Sequence, residues 1–187
     1  MITALTGTPG TGKTTVCEII SEHSQYRKQF YIVDLNKLIL DEKLYTGKDE
    51  ARDTYIADMD KLEERVKEII NQVPEGVDVL MEGHLAHLLH ADAIIVLRAH
   101  PVALRKRLGK KNYSFKKIQE NADAEALDVI LVEAVERNKN VFEIDTTNMN
   151  PLAVVKAVAF IIESLKQGKI PEEFLPGKID WIHHVSR

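Results

Sequence analysis

The residues Gly7-Thr8-Pro9-Gly10-Thr11-Gly12-Lys13-Thr14 match G-x-x-x-x-G-K-[ST] at every position. They follow a short apolar run, Ile2 to Leu5, and open a stretch in which Val16, Ile19 and Ile20 recur at helical spacing, so the motif joins a predicted strand to a predicted helix over about 13–23. Chemistry on a polyphosphate needs these residue types in this place. Glycines lack a Cβ, so the backbone turns tightly and aims its N–H groups at an anion. The following helix adds the positive end of its dipole. Gly10 and Gly12 shape that cradle, Lys13 brings a full charge to the β- and γ-phosphates, Thr14 offers a hydroxyl to Mg²⁺, and Thr15 is a further donor. The plainer alternative is a glycine-rich turn that binds nothing, which the complete motif in its context disfavours.

A metal beside a triphosphate calls for an acidic partner. Val77-Asp78-Val79-Leu80-Met81-Glu82 is an apolar strand ending in a carboxylate, which puts Glu82 near the Mg²⁺ or an attacking water. A solvated residue past a strand is the alternative for Glu82, and Asp78 is given no role. His84 follows in Glu82-Gly83-His84, as a proton shuttle or a hydrogen-bonded structural residue. His87 and His90 complete a formal trio, but their spacing lacks a clear metal-ligand geometry.

Between Arg98 and Lys117 the chain carries Arg98, Arg105, Lys106, Arg107, Lys110, Lys111, Lys116 and Lys117 without one Asp or Glu. Such a run is often a solvated helical face. It begins where a sheet strand ends and contains Gly109 as a hinge, so a small cationic flap closing over phosphates is the functional reading, with Arg107 stabilising charge on the transferring group. Contact with RNA phosphates would use the same residues.

Strands and helices must position these groups. After the first strand and helix, Phe30 to Val33 reads as a strand, and Leu62, Val66, Ile69, Ile70 and Val73 as one helical stripe closed by Pro74 and Gly76. Strands follow at Val77 to Met81 and Ala93 to Leu97, then a helix opened by Pro101. A longer helical region follows Ser114, Asn140 to Ile144 is a fifth strand, and Asn150-Pro151 caps a final helix. The tail over 168–187 reads as no regular element. Near-continuous apolar strands alternating with helices mean a parallel sheet covered on both faces, whose ligands bind beyond the carboxyl ends of the strands.

Composition agrees. The 187 residues, net charge −4 and 44 % hydrophobic content describe one ordinary globular domain over 1–187. No apolar run approaches the roughly 18 residues of a membrane span, the N-terminus has no secretory pattern, and one cysteine excludes a disulfide framework. The expectation is a cytoplasmic protein without membrane contact. Mild acidity argues against a surface dedicated to nucleic acid.

GTPGTGKTT, VLMEGH, IVLR and LGKKNYSFKKIQEN together resemble the adenylate kinase isoenzyme six family, also called the CINAP family of small-subunit ribosome biogenesis NTPases, in its archaeal form. The resemblance spans about 1–151. It implies an α/β P-loop NTPase fold of the nucleoside-monophosphate-kinase type, a three-layer sandwich around a five-stranded parallel sheet ordered 2-3-1-4-5. It implies ATP at Gly10, Gly12, Lys13, Thr14 and Thr15, a monophosphate region over about 31–54 with Asp34, Leu35, Lys37 and Arg52, and a lid over about 110–120. Lys111 stands where relatives carry an ATP-contacting arginine, and Asn150 aligns with a further nucleotide contact. The activity implied is Mg-ATP-dependent phosphorylation of AMP, broad in specificity and accompanied by ATP hydrolysis, with ribosomal protein uS11 and the small ribosomal subunit as partners. The arginine that adenylate kinases carry after this acidic strand has no counterpart in Glu82-Gly83-His84-Leu85-Ala86-His87, so transfer is expected to be weak and hydrolysis to compete.

Overall fold

The first strand, β1 (Ile2–Thr6), lies at the centre of the molecule in a computed structural model that describes residues 1–50, 54–111 and 113–185. It runs into the glycine loop and then α1 (Lys13–Glu22), followed by the short α2 (Ser24–Arg27), β2 (Phe30–Asp34) and α3 (Leu35–Asp41). A hairpin of β3 (Tyr45–Asp49) and β4 (Thr54–Ala57) precedes α4 (Met59–Ile70) and β5 (Asp78–Glu82). The remainder is β6 (Ala93–Arg98), α5 (Pro101–Gly109), α6 (Phe115–Ala126), α7 (Val129–Arg137), β7 (Val141–Asp145) and α8 (Pro151–Lys166).

Five parallel strands form the main sheet in the order β2-β5-β1-β6-β7. Numbered among themselves they run 2-3-1-4-5, the expected order, and chain-order labels shift only because the β3–β4 hairpin intervenes. Side chains alternate between faces along a strand. Leu80, Ile95 and Leu97 therefore pack with Val16, Ile20, Val155, Val158 and Ile162 of α1 and α8. Their strand neighbours Val79, Met81, Ile94 and Val96 pack with Leu35, Ile39, Leu62, Val66 and Leu131 on the opposite face. Burial on both faces explains why these strands read as unbroken apolar runs.

Several features depart from the pattern the sequence predicts. The hairpin and α3 have no expected counterpart, since Tyr45-Thr46-Gly47-Lys48-Asp49 is polar and edge-like. The long helical region after Ser114 splits at Asp128, whose φ of 56° breaks the helical path between α6 and α7. The tail holds two single turns of 3₁₀ helix, Glu172–Phe174 and Ile182–His184. Among the described residues, no helix is long and apolar enough to cross a membrane.

Candidate active site

The strand-to-helix turn folds as the spacing requires. Gly7 has φ 134°, and a Cβ there would lie 2.2 Å from the Leu97 carbonyl oxygen, so only glycine lets the loop pass β6. Gly12, at φ 105°, caps α1 and releases the N–H groups of the first turn toward the cleft. Lys13 is buried, and its ammonium donates to the carbonyls of Gly7 at 2.7 Å and Thr8 at 3.2 Å. Burial pulls its pKa down to about 8, against the opposing pull of Glu82 and Glu125.

Glu82 ends β5, paired in register with Leu5 of β1 and Asp34 of β2. Its Oε1 lies 3.4 Å from the Thr14 hydroxyl. Burial raises the Glu82 carboxyl pKa; Lys13 lowers it and Asp34 raises it further. Thr14 and Glu82 thus present two hard oxygen donors side by side next to a lysine, a set that fits a small divalent cation keeping most of its waters. His84 lines the same cleft, and burial drives its pKa to about 4, which leaves the imidazole neutral.

These groups open onto one cleft of about 1100 Å³. One side is made by Arg107, Thr146, Met149, Pro151 and Val154, beside Gly10 and Gly12. The other is made by Asn36, Ile39, Leu40, Thr54, Tyr55, Ala57 and Leu85. Lys110, Lys111, Tyr113, Lys117, Glu120 and Asn121 complete the lining. Lys117 spans the gap: its ammonium donates to the Thr54 hydroxyl at 3.2 Å and sits 5.0 Å from the Tyr113 ring centre. Lys111 is exposed on this wall and contributes to the field felt by Lys13.

The structure brings Gly10, Gly12, Lys13, Thr14, Thr15, Glu82, His84, Arg107 and Lys111 to this cleft, but not the whole expected set. Asp34 caps α3, accepting from the Lys37 N–H at 2.9 Å, and Leu35 is a core residue. Neither they nor the exposed Lys37 line the cleft; helical periodicity turns Asn36, Ile39 and Leu40 to it instead. Arg52 lies outside the described residues. Asn150 is the N-cap of α8, its side chain accepting from the Leu152 N–H at 2.9 Å, and its neighbours Met149 and Pro151 form the wall. Arg107 reaches the cleft with its guanidinium committed: it donates to the carbonyls of Gly10 at 3.2 Å, Thr146 at 2.8 Å and Thr147 at 3.0 Å. That geometry ties the glycine loop to the loop after β7 rather than reaching for a phosphoryl group.

Arg98 is no part of a flap. It is 1 % exposed and ion-paired with Glu125 at 2.8 Å, with Glu143 at 3.1 Å, and with Asp128. The histidine trio also dissolves. His87 is buried between the Thr6 hydroxyl at 3.1 Å and Glu133 at 2.8 Å, while His90 is exposed. Among the described residues, no three metal-binding side chains of the His, Cys, Asp or Glu types gather. Sequence reasoning missed Thr146, whose hydroxyl lies 2.7 Å from the Thr11 carbonyl, and Glu125, which contacts Thr8. Neither carries a local signal, because both reach the loop from over 100 residues away in the chain.

Comparison with known proteins bears on the family and the fold. A family model described as an AAA domain matches residues 4–128. A Methanosarcina acetivorans protein named "Putative adenylate kinase" is 45 % identical over 190 aligned residues, covering 99 % of this chain and 100 % of that protein. A Methanocaldococcus jannaschii protein of the same name is 40 % identical over 178, covering 95 % and 91 %. Among solved structures, shikimate kinase from Acinetobacter baumannii in complex with shikimate aligns with a TM-score of 0.59 at 17 % identity, over 88 % of this chain and 94 % of that one. Shikimate kinase from Bacteroides thetaiotaomicron gives 0.57 at 18 %, over 87 % and 98 %. Those two likenesses describe a shared P-loop kinase fold. Through residues 4–128 this chain belongs to the AAA-domain family, and over nearly its full length it aligns with archaeal proteins named "Putative adenylate kinase".

Proposed function

We propose that this protein is a Mg-ATP-dependent nucleoside-monophosphate kinase that converts ATP and AMP to two ADP. The observation that carries this reading is the two-sided cleft. A phosphate loop forms its floor, one wall borders the loop beside Arg107 and Thr146, and a separate apolar wall offers Leu40, Tyr55 and Leu85 to a second nucleotide. An acceptor seated there faces the γ-phosphate held by the loop N–H groups and Lys13. An oxygen of the acceptor phosphate then bonds to Pγ as the bond from Pγ to the β–γ bridging oxygen breaks, and ADP leaves. Lys13 neutralises charge on the phosphates, Thr14 and Glu82 would hold Mg²⁺, and Lys111 and Lys117 close over the reacting groups and exclude water. When bound, Mg²⁺ supplies Lewis-acid charge neutralisation of the phosphate oxygens. Arg107 acts as a positioning residue for the Gly10 end of the loop. An acceptor wall that is mostly apolar grips a base by surface contact, which supports broad choice of monophosphate.

A competing ATPase activity is supported by one specific feature. Among the described residues, Arg107 is the one arginine on the cleft wall, and its guanidinium is occupied by carbonyl oxygens. The other cations there, Lys13, Lys110, Lys111 and Lys117, lack the bidentate fork that suits a phosphoryl group. Glu82 or the neutral His84 would then orient water. In that reading the protein is a nucleotide switch in small-subunit maturation acting through uS11, a partner that rests on the family resemblance alone, and cytoplasmic placement follows from the same role. ADP production measured with and without AMP tests the two: a rate that rises with AMP is expected, and equal rates overturn the kinase. Equal affinity for uS11 in ATP and ADP would remove the switch.

A further inference from the structure

Behind the phosphate loop lies a carboxylate that phosphate binding does not explain. Glu125 is 3 % exposed, in the last turn of α6. Its Oε2 accepts the Thr8 hydroxyl at 2.5 Å. Its Oε1 accepts Arg98 Nε at 2.8 Å and the Ala99 N–H at 3.1 Å. A negative charge at the back of an anion cradle opposes the ligand, so its presence calls for another role. Thr8 is also the node of the loop. Its carbonyl accepts from Lys13 Nζ at 3.2 Å, from the Thr11 N–H at 3.2 Å and from the Thr11 hydroxyl at 2.9 Å. Together with the Gly7 carbonyl, which accepts from Lys13 at 2.7 Å, Thr8 therefore helps set the resting place of the lysine and the curvature of the cradle.

We infer that Glu125 is a positioning residue for nucleotide binding: it holds Thr8, and through Thr8 the loop, in register with the helix that carries the lid. This rests on the nucleotide-binding part of the proposed function. Arg98 makes the arrangement tolerable, since its planar fork donates to Glu125, Glu143 and the half-exposed Asp128 at once and keeps the buried Glu125 and Glu143 carboxylates from lying unpaired. The same α6 that bears Glu125 presents Lys117, Glu120, Asn121 and Ala124 to the cleft. A tilt of the lid helix thus pulls on the loop. The chain's one tryptophan, Trp181, lies 5.1 Å over the Arg98 guanidinium, so the tail covers the far end of this connection.

Calorimetric titration of Mg-ADP into wild type, Thr8→Val and Thr8→Ser, with thermal unfolding of each, tests the assignment. Thr8→Val keeps the side chain's volume and removes the donor to Glu125. Its affinity is expected to fall on the order of ten-fold, the usual scale for a hydrogen bond to a charged group, and Thr8→Ser is expected to restore it. A merely structural contact would lower unfolding temperature in Thr8→Val while leaving affinity intact, and that result overturns the inference. Equal weakening in Thr8→Val and Thr8→Ser overturns it as well. Should Thr8→Val fail to fold, Glu125→Asp, which keeps the charge beside Arg98 but falls one methylene short of Thr8, must weaken binding; unchanged affinity sinks the claim. Wild type that takes up no Mg-ADP overturns the kinase reading together with this inference, whereas binding wild type with unaffected variants overturns this inference alone.

Discussion

The Thr14 hydroxyl stands 3.4 Å from the Glu82 carboxylate, bridging the first turn of α1 and the end of β5. Two elements 68 residues apart in the chain meet there because β1 and β5 are hydrogen-bonded neighbours, with Leu5 opposite Glu82. In a parallel sheet all carboxyl ends lie on one edge, so the loop after β1 and the last residue of β5 converge.

Glu82→Gln keeps the size and hydrogen bonding of the side chain and removes its charge. ADP formation at saturating ATP and AMP is expected to fall on the order of 10²-fold, the scale of losing one electrostatic stabiliser in a desolvated site. Steady-state assays over a magnesium series check it. A wild-type rate at every magnesium level would remove Glu82 from the metal site.

Nucleotide binding should take up protons near pH 8. Lys13 titrates at about 8 in the free cleft because burial disfavours its charged form. A bound polyphosphate favours the ammonium and raises that pKa, so binding at about pH 8 draws a fraction of a proton from buffer. Calorimetry in two buffers of different ionisation enthalpy reads this directly. Lys13→Met is expected to abolish the difference between buffers.

His84 makes stability sensitive to mild acid. Its pKa is about 4 in the folded protein against an ordinary 6.5, so between those values the unfolded chain binds a proton that the folded chain does not. Stability from this group is complete above about 6.5 and declines as pH falls toward 4. Moving from about pH 7 to about pH 5 should cost on the order of 2 kcal/mol through this residue. Urea unfolding at both values, for wild type and His84→Gln, isolates the share, which the variant should lack.

Gly7→Ala is expected to destabilise the fold by about 3 kcal/mol or more, because the new methyl would meet the Leu97 carbonyl at 2.2 Å in a left-handed backbone. The denaturant midpoint measures it. Gly109→Ala serves as the control, since a Cβ there meets nothing within 4 Å.

Much of this architecture was legible in the chain. Ile94 to Leu97 and Val79 to Met81 are apolar without interruption because helices cover both faces of the sheet, and that burial writes itself into residue type. The phosphate loop was legible because its geometry is local: Gly12, Lys13 and Thr14 are adjacent and act through the backbone that joins them. Asp34, Leu35, Lys37 and Asn150 show the limit. Each lies within a residue or two of a side chain that does face the cleft, and the choice among Asn36, Ile39 and Leu40 or their neighbours depends on the rotation of a helix. The hairpin β3–β4 left little trace because an exposed two-stranded element needs no apolar pattern.

Charge is the property least legible in the chain. Arg98 and Arg107 sit in one basic run, yet the first is buried among Glu125, Asp128 and Glu143 and the second is spent on backbone carbonyls. A sequence states how many charges a segment holds, and only the fold states which partners they meet. The chain alone therefore determined the parallel sheet, its covering helices and the anion-binding turn, since these follow from burial periodicity and contiguous glycines. The tertiary structure alone decided that Glu82 stands beside Thr14, that Glu125 backs the loop and that Lys117 spans the cleft to Thr54. Those contacts join distant segments, and their distances are fixed by packing rather than by any neighbour in the chain.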